Sequence, residues 1–214
     1  MQEKVTLTMD GQEVTVSKGT TLLQAAEILG IFTPALCYHE HFEQPAVCRV
    51  CVMEIEGART LVPSCARLAE NGMKVFTDSE RVRHSRKMVV EMLQSAIDPS
   101  QAHSLNEFGE LYGTQPERFE GFRKLDYEVK EDNPFFVRDY SKCITCNRCV
   151  QACGDQAQFA LALTVAGRGF DAMIATGGDS TLFDSTCVFC SNCVHVCPTG
   201  ALVSRNEYEA REKR

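Results

Sequence analysis

The chain has 214 residues, 44% of them hydrophobic, and a formal net charge of −7. This length suits one or two domains with buried cores. An acidic balance without a basic stripe, no tryptophan and only 8% aromatic residues argue against nucleic acid as a partner. The most apolar stretch, Phe159 to Gly167, is far too short to cross a bilayer, so no membrane insertion is expected. The opening Met1-Gln2-Glu3-Lys4 runs straight into a strand pattern with no signal segment, and a reducing cytoplasm is the expected setting.

In chain order, Val5, Leu7 and Met9 alternate with polar residues, Asp10-Gly11 marks a hairpin turn, and Val14 and Val16 resume the alternation. Thr20 or Thr21 can cap a short helix with an apolar face of Leu22, Ala25, Ala26 and Leu29, stopped by Gly30. A cysteine-bearing loop follows. Val50, Val52 and Ile55 read as a strand, Glu56-Gly57 as a turn, Leu61-Val62 as its return, and Met73 to Phe76 as a last short strand. From Ser79 to Ile97 the spacing of Val82, Val89, Met92, Leu93 and Ile97 is helical, and Asp98-Pro99 ends it. Residues 100 to 134 are polar and broken by Gly109, Gly113, Pro116 and Gly121, which predicts a connector without a long element. From 135 to 204 the chain repeats itself: Lys142 to Cys153 and Thr186 to Cys197 carry the same cysteine register 44 residues apart.

The twelve cysteines divide into three sets of four. Cys37, Cys48, Cys51 and Cys65 are spaced C-x10-C-x2-C-x13-C, while Cys143, Cys146, Cys149 and Cys153 are spaced C-x2-C-x2-C-x3-C. Cys187, Cys190, Cys193 and Cys197 repeat the latter spacing and are followed by Pro198. In a reducing compartment such spacings read as metal sites rather than disulfides. The doubled run is the bacterial ferredoxin pattern, in which three thiolates of one run hold one [4Fe–4S] cluster and the fourth ligates the other. By that pattern one cubane takes Cys143, Cys146, Cys149 and Cys197, and the other takes Cys187, Cys190, Cys193 and Cys153. Zinc fits a triple plus a fourth, occurring twice, poorly; for the first set the spacing alone leaves zinc open.

Leu36-Cys37-Tyr38, Cys48-Arg49-Val50-Cys51-Val52 and Pro63-Ser64-Cys65 resemble the [2Fe–2S] segment of the large iron–sulfur subunit of respiratory complex I and of its relatives. Those relatives include the iron–sulfur subunits of NAD-linked hydrogenases and formate dehydrogenases. Gly167-Arg168-Gly169-Phe170-Asp171 and the run from Cys193 to Leu202 are similar to the N-terminal part of NAD-dependent formate dehydrogenase catalytic subunits. The resemblance implies an α+β chain with a β-grasp [2Fe–2S] domain at 1–78, a helical connector at 79–134 and a bacterial-type 2[4Fe–4S] ferredoxin domain at 135–214. It assigns Cys37, Cys48, Cys51 and Cys65 to one [2Fe–2S] cluster. In that family a His-x3-Cys-x2-Cys-x5-Cys segment usually binds a further [4Fe–4S] cluster. Here His103 is followed at the matching offsets by Glu107 and Glu110 and no cysteine, so that cluster is not expected and His103 reads as a surface residue.

Lesser candidates have ordinary readings beside the functional one. His39 and His41 read as loop histidines after Cys37, and His195 as a loop filler that could tune a cluster. Arg49 and Arg148, each between two ligands, would offset cluster charge. Gly167-x-Gly169 and Gly177-Gly178 read as turns, with no nucleotide-binding motif around them. The chain is thus expected to carry electrons without a complete active site of its own. As an NAD(P)-linked relay subunit it would work between a flavin- and NAD(P)-binding subunit and a molybdenum or tungsten formate dehydrogenase, a hydrogenase or a ferredoxin. The competing readings are a free polyferredoxin-like carrier and a zinc-binding interaction module.

Overall fold

A computed structural model describes residues 3–119 and 124–212. Two compact units are present: Met1–Tyr38, Gln44–Met92 and Phe108–Gln115 form the first, and His39–Glu43, Leu93–Glu107 and Pro116–Arg214 the second. The connector expected at 79–134 is thereby divided between them.

In the first unit, β1 (Lys4–Met9) and β2 (Gln12–Ser17) form the hairpin, pairing from Lys4↔Ser17 to Met9↔Gln12. Helix α1 (Leu22–Ile28) follows, then β3 (Val52–Ile55), β4 (Val62–Pro63) and β5 (Lys74–Phe76). The sheet order is β2-β1-β5-β3-β4, with β5 parallel to β1 and antiparallel to β3. Of the two candidate threonines Thr21 is the cap: its hydroxyl accepts from the Gln24 N–H at 3.2 Å while its own N–H donates to Gln24 Oε1 at 3.0 Å. Gly30 lies just past the helix at φ +71°, a left-handed conformation that suits glycine. Leu22, Ala25 and Ala26 of α1 pack with Val5, Leu7, Met9, Val14, Val16, Met53 and Val75 of the sheet. Leu23, on another side of the helix, packs instead with Cys51 and Cys65. One short helix therefore closes the sheet core and supports the cysteine loop.

Helix α2 (Glu80–Ala96) matches the helical spacing. Within it Arg86 is buried, donating to the Val52 carbonyl at 2.9 Å and to the Tyr112 hydroxyl at 3.1 Å. The polar stretch after it contains a ten-residue helix, α3 (His103–Tyr112), where the sequence predicted only a connector. Ala102, Leu105 and Phe108 recur every three residues and are all buried. That short apolar stripe sustains the helix despite Gly109, and Gly113 ends it.

The second unit contains β6 (Phe136–Arg138), α4 (Arg148–Cys153), β7 (Thr164–Ala166), β8 (Met173–Ala175), α5 (Asn192–His195), β9 (Leu202–Ser204) and α6 (Arg205–Glu212). Strand β6 pairs antiparallel with β9, Phe136↔Ser204 to Arg138↔Leu202, so the two ends of the duplicated region close on each other. Strands β7 and β8 form a separate ribbon. At its turn Gly167 has φ +70°, and a Cβ there would lie 2.3 Å from the Asp171 carbonyl oxygen. The duplication is visible in the backbone. Helices α4 and α5 begin 44 residues apart, and Thr145 and Phe189 (φ 49° and 53°) and Asn147 and Ser191 (φ 66° and 62°) adopt left-handed conformations at matching positions. Phe42, in the stretch His39–Glu43, packs with Ala152 and Val196; Gln151 Nε2 donates to the Glu43 carbonyl and the Glu43 N–H to Gln156 Oε1, both at 2.6 Å.

Candidate iron–sulfur centres

Cys37, Cys48, Cys51 and Cys65 are all buried in the first unit. Hydrogen bonds from the Cys48 and Cys65 thiols, with the Cys48 and Val47 N–H groups, hold the Cys37 thiol far below its ordinary value. Bonds from the Cys65 thiol, its N–H and Ser64 lower Cys51 to about 6, while Cys48 and Cys65 are driven up, each first by a hydrogen bond to Cys37. The four thiols are therefore linked in a chain, Cys48 to Cys37, Cys37 to Cys65 and Cys65 to Cys51. Ser64, whose side chain is missed by spacing arguments, steadies this arrangement: its hydroxyl donates to the Cys51 carbonyl at 2.7 Å and its carbonyl accepts from the Leu23 N–H at 3.1 Å. Leu23 leads from the N-terminal turn of α1, so the helix start, the cysteine strand and the thiols are tied together.

The eight remaining cysteines lie in the second unit. Cys143 is raised to about 11 and Cys146 to about 12, chiefly by burial, and the charge of Cys197 raises both further. Cys149 is pushed well up by burial, then by Cys146, Cys143 and Cys197, and last by Cys193 of the other run. Cys193 is raised to about 12 by burial and by Cys153, Cys190 and Cys187; Cys187 is raised by burial and by Cys153 and Cys190. Each fourth cysteine thus stands with the opposite run. The same grouping lines two cavities. One is bordered by Cys143, Cys146, Cys149 and Cys197. The other is bordered by Cys153, Cys187, Cys190 and Cys193.

The local backbone explains how the thiols are served. The left-handed residues Thr145 and Phe189 turn their N–H groups onto the preceding cysteines, Thr145 to Cys143 Sγ at 3.3 Å and Phe189 to Cys187 Sγ at 3.4 Å. Ala162 donates to Cys153 Sγ at 3.2 Å. These N–H groups stabilise negative charge on sulfur. Among the described residues no three His, Cys, Asp or Glu side chains draw close enough to hold a single metal ion; a cluster several ångströms across asks for a wider ring of thiolates than a lone ion does. Burial and mutual repulsion oppose ionisation of Cys143, Cys146, Cys149, Cys187 and Cys193, and a cationic iron core is the kind of group that reverses this. The donor set fits iron–sulfur clusters.

Other predicted residues stand apart from these sets. His103, Glu107 and Glu110 are exposed on α3, as are Arg49 and His41 on their loops and His195 at the end of α5. His39 is half-buried, its ring stacked on Phe42 at 4.5 Å between centroids, and burial and then the Arg148 charge lower its pKa. Arg148 gives its N–H and part of its charge to Cys146. Arg138 was not legible as a site residue. It alternates with Phe136 and Tyr140 ahead of Cys143, and this placement of an arginine in an apolar pattern was the available signal.

Comparison with known proteins agrees with this division. Residues 2–80 match the 2Fe-2S iron-sulfur cluster binding domain family, and residues 142–201 match the 4Fe-4S dicluster domain family. NADP-reducing hydrogenase subunit HndD of Solidesulfovibrio fructosivorans is 38% identical over 216 residues, covering 95% of this chain and 36% of that protein. The mitochondrial NADH-ubiquinone oxidoreductase 78 kDa subunit of Candida albicans is 34% identical over 210 residues, covering 94% of this chain and 29% of that protein. The chain therefore spans only 36% and 29% of the length of these two curated relatives. A crystal structure of NAD+-reducing [NiFe]-hydrogenase in the H2-reduced state superimposes with a TM-score of 0.84 at 28% identity, over 94% of this chain and 87% of that one. The chain is a two-domain iron–sulfur protein, a 2Fe-2S cluster binding domain followed by a 4Fe-4S dicluster domain, and resembles the large iron–sulfur subunits of NADH-ubiquinone oxidoreductases and the corresponding subunits of NAD(P)-linked hydrogenases.

Proposed function

We propose that this chain is the electron relay of an NAD(P)-linked oxidoreductase complex of the cytoplasm. It holds one [2Fe–2S] cluster on Cys37, Cys48, Cys51 and Cys65, and two [4Fe–4S] clusters on Cys143, Cys146, Cys149 and Cys197 and on Cys187, Cys190, Cys193 and Cys153. The observation that carries this reading is the exchange of the fourth thiol, Cys197 standing with the first run and Cys153 with the second. Bound clusters would supply one-electron transfer. The residues of the chain bind them, bury them among apolar side chains and aim N–H groups at their sulfurs. Electrons would enter from or leave to a flavin- and NAD(P)-binding subunit. A hydrogenase stands ahead of formate dehydrogenase as the catalytic partner, because two of the similar proteins are hydrogenases by name.

Anaerobic purification tests the proposal. The expected product is brown, with about ten iron atoms per chain, the sum for one [2Fe–2S] and two [4Fe–4S] clusters. Colourless protein containing zinc would overturn it. The metal of the catalytic subunit that co-purifies separates the partners: nickel or di-iron for hydrogenase, molybdenum or tungsten for formate dehydrogenase.

A further inference from the structure

The cavity bordered by Cys153, Cys187, Cys190 and Cys193 is otherwise lined by apolar side chains such as Phe136, Leu163, Leu182 and Leu202, with Ser191. Arg138 is its single charged lining residue among those described. This arginine is 1% exposed, on β6. Its Nη2 is paired with Asp132, whose carboxylate also accepts from the Leu182 N–H at 3.0 Å. Nε and Nη1 are buried with no hydrogen-bond partner. Leaving two guanidinium donors unmatched in an apolar cavity costs more than a neutral side chain would. Asp132 satisfies only one side of the fork. The buried Tyr140 hydroxyl lies close to the guanidinium but carries no charge, and a cluster ligated by four thiolates would supply a negatively charged acceptor for the other side.

We infer that Arg138 is a charge donor to the cluster held by Cys153, Cys187, Cys190 and Cys193, stabilising its reduced state and so raising its reduction potential relative to the same site without the guanidinium. The inference rests on the ligand sets proposed above. Reduction adds an electron to the cluster, and a fixed positive charge beside it in a low-dielectric site favours the more negative state. Asp132, on the far side of the guanidinium, moderates the effect and keeps the arginine oriented.

The test uses the full chain, purified anaerobically with clusters loaded, and EPR-monitored redox titration of each cubane. In the double variant Arg138→Gln, Asp132→Asn, which leaves no lone buried charge, the equilibrium for reducing this cubane should fall at least tenfold, or 59 mV for one electron. The cubane of Cys143, Cys146, Cys149 and Cys197 should change far less. In Asp132→Asn alone, which keeps the guanidinium and removes its counter-charge, the same potential should rise. Unchanged potentials in both variants, with iron retained, overturn the inference; so does an equal shift of both cubanes. If the double variant loses iron, the sign of the shift in Asp132→Asn decides. Wild-type protein lacking two cubane signals would instead refute the ligand sets themselves, so the two failures are distinguishable.

Discussion

The sheet core of the first unit is built from Val5, Leu7, Met9, Val14, Val16, Leu22, Ala25, Ala26, Met53, Ala69 and Val75 and contains no cysteine; its buried Cys51 and Cys65 sit with Leu23 in a separate small cluster. In the second unit Cys149 and Cys153 are themselves members of the core around Phe136, Tyr140, Ile174, Leu182 and Leu202, and Cys143, Cys187, Cys193 and Cys197 pack against it. The same residue type is thus an appendix to one core and a constituent of the other. Burial of roughly 1.5–3 kcal/mol per large apolar side chain can hold the β-grasp sheet without metal. The second unit has only three-residue strands and short helices around its thiols, so much of its folding free energy must come from the clusters.

Removing iron is the strongest way to break this comparison. Chelation should abolish slow amide exchange throughout β6, β9 and α4 while β1, β2 and α1 stay protected, as read by hydrogen-exchange mass spectrometry; simultaneous loss in both units would refute it. Single ligand changes sharpen it. Cys65→Ser should remove the [2Fe–2S] signal and leave the thermal transition of the first unit close to its apo value, whereas Cys197→Ser should erase a cubane signal and also destabilise the second unit. A cubane that survived Cys197→Ser with Cys143, Cys146 and Cys149 intact would overturn the exchange of ligands.

Smaller effects probe each unit's own packing. Arg86→Met deprives the Val52 carbonyl and the Tyr112 hydroxyl of their buried donor, and should cost the first unit about 2 kcal/mol in urea unfolding. A loss below about 0.5 kcal/mol would leave that guanidinium without a structural role. Gly167→Ala places a methyl group against the Asp171 carbonyl at φ +70°, and should cost about 1–3 kcal/mol, confined to the β7–β8 ribbon. Exchange protection unchanged at Thr164 to Ala175 would contradict it.

Much of the molecule is legible in its sequence where one physical rule dominates. Alternation locates β1 and β2, the capping threonine and Gly30 bound α1, and the cysteine register exposes the duplication. Helix α3 is hidden because three buried residues, Ala102, Leu105 and Phe108, are enough for a helix that packs on one side, while its composition is polar and contains Gly109. Ser64 is hidden for a different reason: its value lies in bonds to Cys51 and to the start of α1, partners remote in sequence. Arg138 escapes because a charge is assigned to solvent by default, and only the tertiary fold shows it enclosed.

The matched left-handed residues bear on how the second unit can be altered. Thr145 corresponds to Phe189 and Asn147 to Ser191, different side chains in each case, yet each pair shares one backbone conformation. What the two halves share beyond their cysteines is the direction of the peptide groups, while the side chains at these positions differ; Phe189, for example, makes ring contacts with Phe135 and Phe183. Glycine, which adopts that conformation without strain, should therefore be accepted at Asn147 and Ser191, while a β-branched replacement there should injure one half and spare the geometry of the other.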